Sequence, residues 1–305
     1  MSAQDHLPFD QYPEIQKESA AMQRIKQRAA AAIALAASKE AETPVPFIIP
    51  GVSESAHAIP NYIARTSIFA PIRRGYRCMH NDAVFLEGQN ILIKGSGPQL
   101  SEDQSDIWMH AMYLQTTTPV GIAPIINRAD FLRALGRTTA GPNYVWLHSS
   151  MKALAKFTLE IEARRKDGTI KYSFGTNASS RVLHMMGGFD YNEAAKTYTL
   201  YVDPRWSQIF GNREYALVDW VKRRQMRHDL TKSLQRLVGT SADTLQRYGV
   251  ELLKARAAYT GPVNKFITTL ESSLRELETL GVIANPRIEA SSKRIMQAVW
   301  TRLER

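Results

Sequence analysis

Residues 246–280, QRYGVELLKARAAYTGPVNKFITTLESSLRELETL, constrain the fold more than any other stretch of the chain. They read as two helices around a short break, Tyr259-Thr260-Gly261-Pro262. Gly supplies turn freedom, and Pro262 suits the first position of the following helix. The first helix is expected to run to about Ala258. The second places Val263, Phe266, Ile267, Leu270, Leu274 and Leu277 on one face, at spacings of three and four. Asn264, Lys265, Thr268 and Thr269 lie near its start, and Glu271, Glu276 and Glu278 in its second half. A helix that enters a DNA major groove by its N-terminal turns wants this polarity. Two amphipathic helices joined by a Gly-Pro turn also occur in many α-rich proteins with no such role, so the rest of the chain decides.

The chain has 305 residues, room for two domains, and Lys+Arg exceed Asp+Glu by ten (39 against 29), with a pI near 9.7. That balance favours an acidic partner, nucleic acid or anionic membrane. The single cysteine, Cys78, excludes an internal disulfide and fits a reducing cytoplasm. No apolar run approaches the roughly 18 residues of a membrane span. The start of the chain lacks the basic-then-apolar order of a signal peptide, so a cytoplasmic location is expected.

Residues 16–42 form a strong helix candidate with a seam of Met22, Ile25, Ala29, Ala32 and Ala36. It reads as a dimerisation or docking helix, or as one packed on its own domain. A Pro-punctuated linker follows at 43–50, then a cluster of Arg65, Arg73, Arg74 and Arg77. Strands are expected at 83–87 and 90–94 across Gly88. Ser101 and Gln104 form a capping box for a helix at 102–115. A short strand at 122–126 leads to Asn127, which caps a helix at 128–135 closed by Gly136. A helix at 143–156 comes next. Strands at 157–163 and 169–175 then flank Arg164-Arg165-Lys166-Asp167-Gly168, which carries the hairpin Asp-Gly signal.

Helix, strand, helix, turn, helix, hairpin is the order of a winged-helix domain. Its tip cations, Arg164, Arg165, Lys166 and Lys171, would reach phosphates or a minor groove. A solvated surface hairpin has the same composition. Residues 181–202 add strands. Residues 214–240 read as a basic helical stretch; from 222 to 236 it holds Lys222, Arg223, Arg224, Arg227, Lys232 and Arg236 against one acid, Asp229. A solvated face and a phosphate contact fit that run equally. Strands at 282–289 and 294–301 put Arg287, Lys293 and Arg294 near a second tip. The expected fold is α+β: two tandem winged-helix domains, 57–211 and 212–305, after an N-terminal helical extension, 1–56.

Enzymatic motifs are missing. No G-x-x-x-x-G-K-[ST] is present, so nucleotide hydrolysis is not expected. The seven histidines are scattered, against the paired-His metal site of a nuclease. Cys78 and His80 are one close pair of soft ligands, too few for zinc. Asp103 and Asp106 flank a helix start, where carboxylates favour the dipole. We expect no enzyme activity, metal or cofactor.

Several segments, in order, carry a family resemblance. They are IPNYIARTSIF at 59–69 with 70–75, GPQL at 97–100 with Asp103, Asp106 and Trp108, and FLRALG at 131–136. In the second half they are DPRW at 203–206, GNREYAL at 211–217, TSA at 240–242 and LKAR at 253–256. Over about residues 57–303 the sequence resembles the plasmid replication initiators of the RepA/TrfA-like group. The resemblance implies binding to direct repeats (iterons) in origin double-stranded DNA and opening of the adjacent duplex. It also implies hand-over to a host initiator and replicative helicase, autorepression, dimer–monomer exchange of a homodimer, and residence with a plasmid in a bacterial cytoplasm. The chain departs from the pattern in one respect: it has no clear Gln-Leu-x-Leu-Phe sliding-clamp motif.

On this reading Thr260, Asn264, Lys265 and Thr268 read bases, Asn suiting adenine and Lys guanine. Arg256 steadies the backbone. In the first domain Asn143, Trp146, Ser149 and Lys152 face DNA, with Trp146 also fitting a core or dimer contact. Lys222, Arg223 and Arg224 add phosphate contacts. The alternatives are a winged-helix transcriptional repressor without initiator activity, and a nicking enzyme.

Overall fold

The computed structural model describes residues 22–24, 26–29, 47–72, 78–119, 121–176 and 181–303. The chain divides into Met1–Val45 and Pro46–Arg305. In the first part, residues 22–24 and 26–29 are helical and exposed. The rest of the expected N-terminal helix and seam, the start of the linker, and Arg73, Arg74 and Arg77 lie outside the described residues.

Pro46–Arg305 mixes helix and strand, as expected. Its first half runs β1 (Ala56–Pro60), α1 (Asn61–Ala64), β2 (Phe69–Ala70), β3 (Met79–Gly88), β4 (Ile91–Pro98), β5 (Leu100–Ser101) and α2 (Glu102–Thr117). It continues β6 (Ile125–Asn127), α3 (Arg128–Ala134), α4 (Gly141–Lys156), β7 (Thr158–Arg164), β8 (Ile170–Phe174) and β9 (Leu183–His184). Then come β10 (Gly188–Asn192), β11 (Thr197–Tyr201), α5 (Trp206–Gly211) and β12 (Tyr215–Asp219). The second half runs α6 (Trp220–Arg223), α7 (Asp229–Val238), β13 (Leu245–Gly249), α8 (Val250–Arg256), α9 (Val263–Thr279), β14 (Ile283–Ala290) and β15 (Met296–Arg302).

The sequence signals set several of these boundaries. The Ser101 N–H donates to Gln104 Oε1 at 2.9 Å, one arm of the expected capping box at the start of α2. Asn127 Oδ1 accepts from the Ala129 N–H at 2.8 Å and starts α3. The C-terminus of α9 closes with Gly281 at φ +64, its N–H on Glu278 O and the Val282 N–H on Leu277 O. That pair of bonds satisfies carbonyls the helix leaves open, and the left-handed residue is cheap only for Gly. Gly97, at φ +139, is fixed by crowding: a Cβ there would lie 2.9 Å from Phe157 Cα.

Two hydrophobic clusters fill the unit. The first packs α2, α4, α5 and the sheet β3-β4-β7-β8, with β9 added on β7. Its centre is Trp108 against Trp206, ring centroids 4.9 Å apart, each indole N–H satisfied by a backbone carbonyl (Met185 and His184). The second packs the predicted face of α9 (Phe266, Leu270, Leu274, Leu277) on Leu230, Leu234 and Leu237 of α7 and Trp300 of β15. The three strands β13-β15-β14 close it.

Some expectations need correction. Residues 245–249 are strand, not helix, and pair with β15. Gln246 is buried there because its amide bonds Val238 O and Trp300 Nε1, so a polar residue occupies the inward face. Residues 214–240 hold a strand, the single turn α6 and then α7. The expected boundary at 211/212 also moves. β12 pairs antiparallel with β1, and Ala216, Val218 and Trp220 belong to the first cluster, whereas the second begins at Met226.

The clusters are joined by a buried charge network. Glu102 and Asp106 from α2 meet Arg223 from α6 and Lys232 and Arg236 from α7. Arg223 is 1% exposed and donates to Asp106, to Glu102 at 3.2 Å, to Ser105 Oγ at 2.8 Å and to Lys232 O at 2.9 Å. Arg236 pairs with Glu102 and donates to Phe69 O at 3.0 Å. Burial pushes the Asp106 carboxyl up, but Arg223 and Lys232 outweigh it and hold it below the usual carboxylate range. Further links are Arg65 Nη2 to Thr240 O at 2.7 Å and Lys222 Nζ to Gly281 O at 2.9 Å.

Candidate nucleic-acid interface

A cleft of about 930 Å³ opens between the two clusters. The first turns of α4 contribute Asn143 and Trp146, and the loop before it Arg137. The α6–α7 connection contributes Arg224, Arg227 and His228, and the second helix pair Tyr259, Phe266 and Thr269. The two helices expected to read DNA therefore open on one cleft, through their N-terminal turns.

Along α9, Asn264, Lys265, Thr268 and Thr269 are exposed beside the buried face, and Thr260 is exposed in the turn before it. The Thr268 hydroxyl donates to Asn264 O at 3.2 Å, while the side chains of Asn264 and Lys265 carry no partner. Lys152, Lys166, Arg224, Arg227, Lys293 and Arg294 are exposed without an acidic partner. These are the groups free to meet phosphates or base edges.

Other expected residues are committed elsewhere. Arg223 is sealed in the buried network and cannot reach solvent. Lys222 closes the C-terminus of α9 through Gly281 O. Lys171 pairs with Glu214 at 3.0 Å, away from the hairpin tip. Arg256 is half-buried over the Tyr248 ring at 5.7 Å. Its buried Nη1 finds no acceptor, and burial, reinforced by nearby Arg65, lowers its pKa. Trp146 packs against the first cluster and under the Arg137 guanidinium, 3.7 Å from the ring centre, which makes it the floor of the cleft. Asn143 donates its amide to Thr138 O and Oγ1, both at 2.9 Å, and keeps its own carbonyl free. Ser149 donates to Trp146 O at 2.9 Å. Arg164 pairs with Glu162, and Arg287 with Glu289, set back from the second tip. Arg165 folds onto Ile170 O at 3.1 Å.

Sequence reading passed over Arg137 and Val145, and placed Arg227 only within the basic run. Arg137 follows the turn that ends α3, a position with no motif, and Val145 is 71% exposed on the first turns of α4.

Acidic groups also face the cleft. Asp103 is held by Arg137 at 2.6 Å and Lys232 at 3.6 Å. Asp229, in the first turn of α7 rather than capping it, has its pKa pushed up to about 6 by burial, then by the charges of Asp103 and Glu102. The unfolded carboxyl ionises near pH 3.9. Between that value and about 6 the folded state holds the extra proton, so this group's contribution falls as pH rises through the window. Asp229→Asn is therefore expected to raise Tm at pH 7–8 and to match the wild type below about pH 4. A series of melts across pH reads this, and an equal offset at every pH would refute it.

Among the described residues no group of three His, Cys, Asp or Glu side chains is placed to hold a metal, and no helix is long and apolar enough to cross a membrane.

No family model and no curated protein matches the sequence. The fold does have solved counterparts. A crystal structure of domains 2 and 3 of RctB aligns with a TM-score of 0.53 at 12% identity, over 80% of this chain and 99% of that one. Another structure of RctB domains 2–3 aligns at 0.47 with 11% identity, over 80% and 97%. The first alignment shows a shared fold over 80% of this chain.

Proposed function

We propose that this chain is a sequence-specific double-stranded DNA-binding protein that initiates replication at an origin. The observation that carries this reading is the shared cleft, where the first turns of α4 and α9 converge with unpaired Arg224 and Arg227. Each helix follows a shorter helix and precedes a hairpin, the order of a winged-helix domain. Lys265 and Asn264 present hydrogen-bonding groups that suit base edges, and the cleft cations suit phosphates. The likeness to RctB, a replication initiator of a family other than RepA/TrfA, supports the initiator role. The RepA/TrfA-like segments supply the finer reading: iterons as the site, duplex opening, hand-over to host initiator and helicase, and a plasmid setting. No step in this role needs catalysis, since opening draws on the binding energy that deformed DNA adds.

The test has two stages. Selection from a random duplex pool is expected to enrich one sequence, and permanganate is then expected to react with A·T-rich DNA beside that sequence in a supercoiled plasmid. Binding without permanganate reactivity would leave a repressor in place of an initiator. A covalent protein–DNA adduct with Mg²⁺ would replace both with a nicking enzyme. Arg224→Ala and Arg227→Ala are each expected to lower the salt slope of binding by about 0.9 without changing the selected sequence.

A further inference from the structure

The two hairpins carry different chemistry at their tips. At the β7–β8 tip Arg164, Arg165 and Asp167 are held by neighbouring groups, and Lys166 is the exposed cation without an acidic partner. Arg164 Nε donates to Glu162 at 2.8 Å, Arg165 Nη1 to Ile170 O at 3.1 Å, and Asp167 accepts from the Thr169 N–H at 2.9 Å. The β14–β15 tip is the opposite case. Residues 292–296 are all exposed, with Ile295 at 57% and Met296 at 42%. Lys293 and Arg294 stand beside them with no acidic partner, because the nearby acid, Glu289, is taken by Arg287 at 2.7 Å.

The second tip is also held in shape. Ser291 N–H donates to Ile295 O at 2.9 Å, Arg294 N–H to Ser291 O at 2.8 Å, and Ile295 N–H to Ser291 Oγ at 3.1 Å. Arg294 sits at φ +60, a strained value for a residue with a side chain. These bonds hold the turn's backbone in the conformation that leaves Ile295 exposed. Two adjacent apolar side chains therefore stand in water, beside two cations, at the tip of the β14–β15 hairpin.

We propose that Ile295 and Met296 form an apolar wedge that enters the minor groove of double-stranded DNA and parts a base step there. Lys293 and Arg294 draw the tip to the groove, whose negative potential attracts them. Ile and Met then leave water by sliding against unstacked base faces, and the duplex bends away from the tip. The flexible pyrimidine–purine steps, TA and CA, are the sites where this costs least. The first hairpin exposes a single apolar side chain, Ile170 at 42%, and no adjacent pair. The inference rests on the DNA-binding reading above and adds the source of the distortion.

The probe is the duplex that the wild-type protein selects from a random pool, end-labelled for energy transfer and carrying 2-aminopurine at each step in turn. At saturating wild type, a shortened end-to-end distance and bright 2-aminopurine at one step are expected. Ile295→Ala with Met296→Ala should keep the salt slope and stay within about tenfold of the wild-type affinity, while losing both signals. Lys293→Ala with Arg294→Ala should lower the salt slope by about 0.9 for each phosphate that is no longer neutralised. Full bending and full 2-aminopurine brightness with the apolar variant would overturn the wedge while leaving the DNA-binding reading intact. Failure of the wild type to enrich any duplex would instead remove that reading, and the wedge with it.

Discussion

Replacing Arg223 by Leu is expected to destabilise Pro46–Arg305 by about 3–5 kcal/mol, the usual result of removing one partner from a buried ion pair. Leu fills part of the space but donates nothing. Glu102 and Asp106 each lose a charged donor, and Ser105 Oγ and Lys232 O lose a hydrogen bond. Both acids keep a second cation, Arg236 and Lys232, which limits the loss. The pH dependence should change with it. Asp106 is held below its unfolded pKa, so its contribution is full above about pH 3.9 and is lost as pH falls toward its folded value. With Arg223 gone that loss should begin at higher pH. Urea unfolding from pH 3 to 7 measures both effects, and a shift under about 1 kcal/mol, the range of exposed pairs, would contradict so deep a burial.

Lys265→Ala should act on recognition and not on the fold. Lys265 is exposed and unpartnered, so stability should stay within about 0.5 kcal/mol of the wild type. If α9 enters the major groove by its first turns, the variant loses about 1–3 kcal/mol of discrimination at one base position, and selection should return a site relaxed there. Asn264→Ala should relax a neighbouring position. A uniform loss across all sequences, with a smaller salt slope, would reassign Lys265 to a phosphate.

The contrast between these two residues marks what a sequence can reveal. Lys265 is legible because helical periodicity alone puts it beside Phe266 and Leu270, on the edge of a buried face. The capping signals at Ser101 and Asn127 are legible for the same reason: cap chemistry is local. Arg223 is not. It lies in a basic run that resembles a solvated face, and its partners, Glu102 and Asp106, lie more than a hundred positions away. Lys222 and Lys171 mislead in the same way, since Gly281 O and Glu214 are distant in sequence. Leu245–Gly249 hides its strand character because its inward residue, Gln246, is polar. The hydrogen bonds of Gln246 to Val238 and Trp300 exist only after the second cluster has formed. The cleft itself has no signature, because five separate segments meet to make it.

The pairing of β1 with β12 sets an order on how the chain reaches this state. Ala56–Pro60 is wholly buried, yet its partner strand is Tyr215–Asp219, at the far end of the first cluster. Closing so long a loop costs entropy before any contact repays it, which slows folding. During synthesis, β1 has no sheet to join until β12 has left the ribosome, and Glu102 and Asp106 have no counter-charges until Arg223 and Arg236 follow. A nascent chain that ends at Gly211 would hold an unpaired apolar strand and two uncompensated acids, the kind of species that chaperones retain.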